Sequence, residues 1–258
     1  MDQTAERARR LFENWNSRAP YETLSGANAI DRISEAYDVQ LALQQLHAEN
    51  RGTIAGRKIA LSSKAMQQMI GIDHPIAGAI FSSEIKSSPA TVKATDFVRL
   101  GLEFELAIEL NSDIAPQSSI HSGETVCEHI AAVRPAFELI EDRNADYAKL
   151  DPMTLIADNA WCGGVVLGPA LSNWQGLDLA DIPSLVHQTG KPIEETNTGA
   201  ADPLNSLAWV LNHFSGRGIK LFKGEHIITG SAVRTRFPKT GDSLVYEVAD
   251  ASVQISVI

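Results

Sequence analysis

Residues 98–110 (VRLGLEFELAIEL) alternate in character at every step. Val98, Leu100, Leu102, Phe104, Leu106, Ile108 and Leu110 are apolar, and between them stand Arg99, Gly101, Glu103, Glu105, Ala107 and Glu109, mostly charged. Successive side chains of a strand point to opposite faces, so a period of two predicts one long strand with an apolar and a polar face. Such a strand demands a sheet with an apolar layer beneath it. The N-terminal part is different. Ala8, Leu11, Phe12 and Trp15 fall on one helical stripe. Ile30, Ile33, Tyr37, Leu41, Leu43 and Leu46 continue a helical period to about Asn50, where Gly52 provides a stop.

The rest of the chain predicts a mixture. Residues 58–61 and 136–140 read as strands, and 160–167 as a buried strand with a glycine pair. Ser62 or Ser63 caps a short helix through Met69, and a helix is expected over 122–131. Asp202-Pro203 opens a helix running to near Gly216, because Asp accepts from free N–H groups and Pro fits the first turn. Residues 227–229 and 243–257 supply the last strands. No Pro/Gly/Ser-rich linker divides the chain. The expectation is one α+β structural unit: an N-terminal helical segment, 1–55, packed on a β-dominated catalytic part, 56–258.

Charge and composition narrow the function. The formal net charge is −10, which argues against nucleic acid or an anionic membrane as the main partner. Two cysteines, Cys127 and Cys162, are too few for a disulfide framework or a cysteine zinc site. There is no apolar run of about 18 residues and no secretory-type apolar core near the start, so a cytoplasmic location is expected. The histidines form neither H-x₃-H nor HExxH, so a histidine zinc site is not expected. Leu61 stands where S-x-x-K needs its serine, and Gly216-x-Gly218 lacks a third glycine.

The polar face of the long strand carries the chemistry. Glu103 and Glu105 are two apart, so both carboxylates point the same way. Enclosed like charges repel and lose hydration, and a divalent cation removes both costs. Oxygen ligands without Cys or His suit Mg²⁺ or Mn²⁺ rather than Zn²⁺. Glu138, between Phe137 and Leu139, is the candidate third ligand. The same E-x-E pattern, with Glu109 beyond it, is also what a merely solvated face looks like.

Six segments decide between these readings. They are 56–66 (GRKIALSSKAM), 102–107 (LEFELA), 134–143 (RPAFELIEDR), 156–160 (IADNA), 203–212 (PLNSLAWVLN) and 224–231 (GEHIITGS). In this order they resemble the fumarylacetoacetate hydrolase superfamily, in the branch of 2-oxopent-4-enoate hydratases and 4-oxalocrotonate decarboxylases. The resemblance implies the mixed β-roll of that superfamily, and a divalent metal on Glu103, Glu105 and Glu138. It places Lys64 in the same pocket as a catalytic group. It sets Thr229, Gly230 and Ser231 near the substrate carboxylate. Asp158 and Asn159 are expected to hydrogen-bond around the site. The implied activity is a lyase on an unsaturated 2-oxo or 2-hydroxy acid, first a 2-hydroxypenta-2,4-dienoate hydratase. The alternatives are a 2-oxo-enedioate decarboxylase, an acylpyruvate-type C–C hydrolase, and a metal-binding accessory subunit. A homo-oligomer, or a complex with a pathway enzyme, is implied with it. One departure stands out: in Pro75-Ile76-Ala77-Gly78, Ile76 occupies a position where the branch carries an acid. His74 is the nearby candidate to replace it.

Overall fold

The computed structural model describes residues 2–117 and 120–258. In chain order the elements are α1 (Gln3–Asn16), α2 (Ile33–Arg51), β1 (Ile54–Ala60), α3 (Lys64–Ile70), β2 (Ile76–Phe81), β3 (Ile85–Ser87) and β4 (Ala90–Val92). They continue as β5 (Leu100–Leu110), β6 (Ile130–Glu141), α4 (Pro152–Ala157), β7 (Cys162–Leu167), β8 (Pro183–Gln188) and β9 (Glu194–Asn197). Last come α5 (Pro203–Gly216), β10 (His226–Ile228), β11 (Ser243–Val248) and β12 (Ala251–Val257). The alternating segment forms the centre of a seven-stranded sheet, ordered β2-β1-β10-β5-β6-β7-β3. A second sheet of five strands runs β4-β12-β11-β8-β9. Both are mixed: β1/β10, β3/β7 and β4/β12 pair parallel, and the other ladders are antiparallel. The fold is the α+β β-roll with an N-terminal helical segment.

The even residues of β5 face the core that the alternation demands. Leu102, Phe104, Leu106 and Ile108 are buried with Phe137, Leu139, Tyr246 and Val253 in one apolar cluster. Phe104 meets Phe137 and Tyr246 edge-on, the geometry that aromatic quadrupoles prefer. The odd residues face a smaller cluster formed by Ile80, Cys162, Val165 and Ile228. The central strand is thus covered on both sides.

The N-terminal helices dock by polar as well as apolar contacts. Buried Arg7 of α1 donates to Asn28 O and Ala29 O and pairs with Glu35 of α2 at 2.6 Å. Gln40 of α2 donates to Ala77 O of β2 at 2.8 Å and to Ile156 O of α4 at 2.7 Å. Asn159 completes this junction. Its Oδ1 accepts from Ala79 N at 2.8 Å and from Gln44 Nε2 at 2.9 Å, and its Nδ2 donates to Ala79 O at 2.9 Å.

Three sequence expectations need correction. No α-helix spans 122–131: there is a turn, a short 3₁₀ turn at Val126–His129, and β6 beginning at Ile130. The hydroxyls of Ser122 and Thr125 bond backbone locally, and the ladder to β5 claims the residues beyond. β6 and β1 also start earlier than their expected centres, because ladder pairing with β5 and β2 carries each strand further back along the chain. The hairpin-edge strands β8 and β9 were not anticipated, since 194–197 (EETN) has no alternation. Among the described residues no helix is long and apolar enough to cross a membrane.

Two outcomes follow. Asn159→Ala leaves Ala79 N–H and C=O buried without partners and should cost about 2–4 kcal/mol in urea unfolding. Burial pushes His47 down to about 3 and His213 down to about 4. Both stay neutral when folded while the unfolded chain takes up protons below about pH 6.5. Their contribution is complete above that pH and is lost as pH falls towards 4. Urea midpoints measured from pH 7 to pH 5 should therefore decline, and less steeply in His213→Asn.

Candidate metal centre

Strand register assembles the acidic cluster. Glu103 lies directly opposite Glu138 in the β5–β6 ladder, and Glu105 is two residues along the same face. One oxygen from each of the three lies within 4.8 Å of the others. Glu105 and Glu138 are 0% exposed, while Glu103 is half-buried at the open side. Directly opposed carboxylates inside a sheet are unfavourable, so each needs compensation.

The compensation is specific and incomplete. Gly230 N donates to Glu105 Oε2 at 2.7 Å, and Thr235 Oγ1 donates to Glu103 Oε1 at 2.6 Å. Gly230 has φ +100, and a side chain there would run into Ser62 Oγ, so glycine is required for this approach. Among the described residues, Glu105 Oε1 and Glu138 Oε2 have no hydrogen-bond partner although both are buried. Burial, then the neighbouring Glu138 and Glu103, push Glu105 well above the usual carboxylate range. Burial also pushes Glu138 up to about 7, with Lys58 opposing and Glu103 adding to the shift.

The lysine at this cluster is Lys58, not Lys64. Lys58 pairs across β10 with Ile228, and Ile228 with Ala107 of β5, so Lys58 shares the face of Glu105 and Glu103. It is 1% exposed, its Nζ lies 2.6 Å from Glu138 Oε1, and it donates to Ala160 O at 3.0 Å. Burial alone would lower its pKa, but Glu138 and the other groups around it outweigh that and hold the ammonium charged. Gly78, its ladder partner on β2, leaves it room: a Cβ there would crowd Asn159 O and Lys58 Cγ. Lys64 instead begins α3, exposed, and bonds Gln67 Oε1 and Asp73 O at 3.1 Å each. The resemblance placed Lys64 in the pocket, but as the first residue of α3 it is carried out to solvent. The signal for Lys58 was a lone lysine inside an apolar strand, a costly placement without a buried acid.

Other expected residues fall around this core. Thr229 is buried with its hydroxyl bonded to Leu106 O at 3.0 Å, and Ser231 Oγ accepts from Phe104 N at 2.9 Å. Both staple the turn to β5 so that Gly230 N meets Glu105. Asp158 and Asn159 bond no carboxylate of the cluster. Asp158 takes Arg143 Nη2 at 2.5 Å and Trp15 Nε1 at 2.6 Å, and Asn159 bridges Ala79 and Gln44. Their turn still matters, because Asn159, Ala160 and Trp161 all have positive φ, and this aims the Ala160 carbonyl at Lys58. Cys162 is a buried free thiol on the same face, pushed up by burial and then by Glu138. His74 is turned to Pro75 O at 2.7 Å. Ile76 is fully buried, on the face of β2 that also carries Gly78.

With all three carboxylates ionised, they and the ammonium carry two net negative charges, which one divalent cation balances. Hard oxygen donors and two buried, unbonded carboxylate oxygens suit such an ion. Fold and site together define a β-roll protein with an acidic centre able to hold a divalent metal. No family model matches the chain. Known proteins do. A 2-oxo-hept-4-ene-1,7-dioate hydratase of Escherichia coli is 31% identical over 220 residues, 82% of this chain and 81% of that protein. A 2-keto-4-pentenoate hydratase of Paraburkholderia xenovorans (strain LB400) is 29% identical over 243 residues, covering 93% of this chain and 89% of the relative. The solved 4-oxalocrotonate decarboxylase from Pseudomonas putida G7, complexed with magnesium and adipate, superposes with a TM-score of 0.90 at 23% identity over 100% of this chain and 98% of that one. The chain belongs to the family of these 2-oxo-acid hydratases, and a 4-oxalocrotonate decarboxylase of Pseudomonas putida is a further relative at 26% identity.

If the cluster holds a divalent cation, Mg²⁺ at a hundred times its dissociation constant adds about 2.7 kcal/mol, a rise of roughly 5–10 °C in melting temperature. Glu105→Gln should abolish this rise. Without metal, Glu105→Gln should melt no lower than the parent, since one buried like charge is gone. Differential scanning calorimetry with and without Mg²⁺ reads both.

Proposed function

We propose that this protein is a metal-dependent hydro-lyase that hydrates a 2-hydroxypenta-2,4-dienoate. Glu103, Glu105 and Glu138 are the ligands in this reading, with Mg²⁺ as the native ion and Mn²⁺ as a substitute. The observation that carries the reading is the convergence of three carboxylates and one charged lysine on one buried sheet face. The names of the 2-keto-4-pentenoate hydratases among its relatives support the substrate class.

A divalent cation, when bound, supplies Lewis-acid charge for the enolate that a 2-oxo acid forms. The remaining work falls to the chain. Gly230 N and Thr235 Oγ1 orient two of the carboxylates, so the third, Glu138, is left to the lysine. Lys58 presents a fixed ammonium, able to hold a substrate oxygen or to give up a proton to a developing carbanion. Ile80, Val165 and Ile228 keep bulk water from the same face, which strengthens every charge interaction there.

A second reading, decarboxylation of a 2-oxo-enedioate, is supported by the 4-oxalocrotonate decarboxylase among the relatives. Ile76 departs from the acid expected in either kind of enzyme and so does not choose between them. Loss of CO₂ from a 2-oxo-enedioate needs no water at the double bond.

Loss of the ultraviolet absorbance of 2-hydroxypenta-2,4-dienoate in the presence of Mg²⁺ tests the first reading, and CO₂ release from a six-carbon 2-oxo-enedioate tests the second. Turnover of neither substrate refutes both. Lys58→Met should lower kcat by about 10²–10⁴-fold, whereas Lys64→Met should stay within about twofold of the parent. The reverse order would restore Lys64 to the site.

A further inference from the structure

A cleft of about 500 Å³ opens between the C-terminal ends of α1 and α2 and the segment around β3 and β4. None of Lys58, Glu103, Glu105 and Glu138 lines it. Leu139 and Glu141, which do, alternate with Glu138 along β6 and so lie on the opposite side of that strand. The cleft is therefore separate from the carboxylate centre.

Its lining is cationic in a chain of net charge −10: five arginines and lysines against three acids. Two guanidinium groups pack on the Trp15 ring, Arg51 at 5.0 Å and Arg143 at 4.8 Å from its centroid. Each arginine has one acidic partner. Arg51 Nε pairs with Glu84, and Arg51 Nη2 donates to Cys162 O at 3.1 Å. Arg143 Nη2 pairs with Asp158 at 2.5 Å. Of the other lining acids, Glu141 is spent on the backbone N–H groups of Val98, Arg99 and Arg143, and Asp96 is exposed.

Donors remain over. Arg51 Nη1 and Arg143 Nη1 and Nε are buried and have no hydrogen-bond partner among the described residues, and Arg143 is only 1% exposed. Buried guanidinium N–H groups without acceptors are costly, and an oxyanion is the ligand that satisfies two of them at once. His47, beside them with Nε2 also unpartnered, records the uncompensated charge: burial and then Arg51 and Arg143 push it down to about 3. Lys86 and Phe97 extend the cleft toward solvent, giving a further cation and an apolar wall.

We propose that this cleft binds a small organic anion, a carboxylic acid or a phosphate ester, with its oxygens between Arg51 and Arg143 and its carbon skeleton against Trp15 and Phe97. Anion binding here does not depend on the metal.

Calorimetric titration of the metal-free 258-residue chain with succinate and with inorganic phosphate tests this. The expected result is saturable binding of at least one anion with a dissociation constant of about 1 mM or tighter. Binding of succinate alone identifies a carboxylate site, of phosphate alone a phosphate site, and either supports the proposal. Arg51→Gln should weaken binding at least about tenfold, the worth of one charged hydrogen bond. Lys86→Gln, on an exposed residue that cannot disturb the core, should weaken it about two- to threefold. Trp15→Phe should keep the heat of binding but lose the accompanying change in tryptophan emission. Glu105→Gln should bind as the parent does. Absence of saturable binding of both anions overturns the proposal. So does unchanged affinity in both Arg51→Gln and Lys86→Gln, or clearly tighter binding in Glu105→Gln, where loss of a negative charge would favour an anion held at the carboxylate centre.

Discussion

The pairing of Glu103 with Glu138 across the β5–β6 ladder is the constraint around which the rest of the molecule is arranged. Side chains directly opposite in an antiparallel pair approach to about 4.5–5.5 Å between Cβ atoms, and like charges at that spacing destabilise a sheet. Here the pair is joined by Glu105, and two of the three acids are fully buried. A fold that existed only for stability would have no reason to keep this arrangement. The surrounding structure lowers the cost without removing it. One ammonium, one backbone N–H and one hydroxyl are supplied, and buried oxygens are still left over. The shortfall matches a divalent cation in charge and in donor type.

Lys58 extends that constraint to the helices. Its ammonium is held between Glu138 and the carbonyl of Ala160. That carbonyl points inward because three successive residues adopt left-handed backbone angles. Non-glycine residues pay about 1–2 kcal/mol each for such angles, so the turn must be held from outside. Asn159 holds it by bridging to β2 and to Gln44 of α2. The N-terminal helical segment therefore reaches the acidic centre through two hydrogen-bonded side chains.

Strand β6 has a different chemistry on each side. Glu138 faces the acidic centre, while Leu139 and Glu141 face a cleft bordered by Arg51 and Arg143. The two sides touch at Cys162, whose carbonyl accepts from Arg51 while its thiol lies beside Glu138. A negative centre and a positive cleft a single strand apart also stabilise one another, since opposite charges attract through the low-polarity layer between them.

Much of this was legible in the sequence. The alternation over residues 98–110 determined a long two-faced strand, and with it the shared direction of Glu103 and Glu105, because strand geometry is local and has a period of two. The helical stripes of α1, α2 and α5 and the Ser63 cap of α3 are likewise local. Asp202 does not cap α5 as expected: its carboxylate accepts from the Asn205 side chain instead of a helix N–H. What local pattern could not supply was registry between distant segments. That Glu138 stands opposite Glu103 depends on which residues of β6 pair with β5. That Lys58 reaches Glu138 depends on the parallel insertion of β10 beside β1. Lys64 looked equally suitable in one dimension, since both lysines lie in the same short segment. Only the closed sheet, which points Lys58 inward and carries Lys64 out to solvent, distinguished them. The cationic cleft was invisible for the same reason. Its arginines come from separate elements, and unpaired donors exist only once every other partner has been placed.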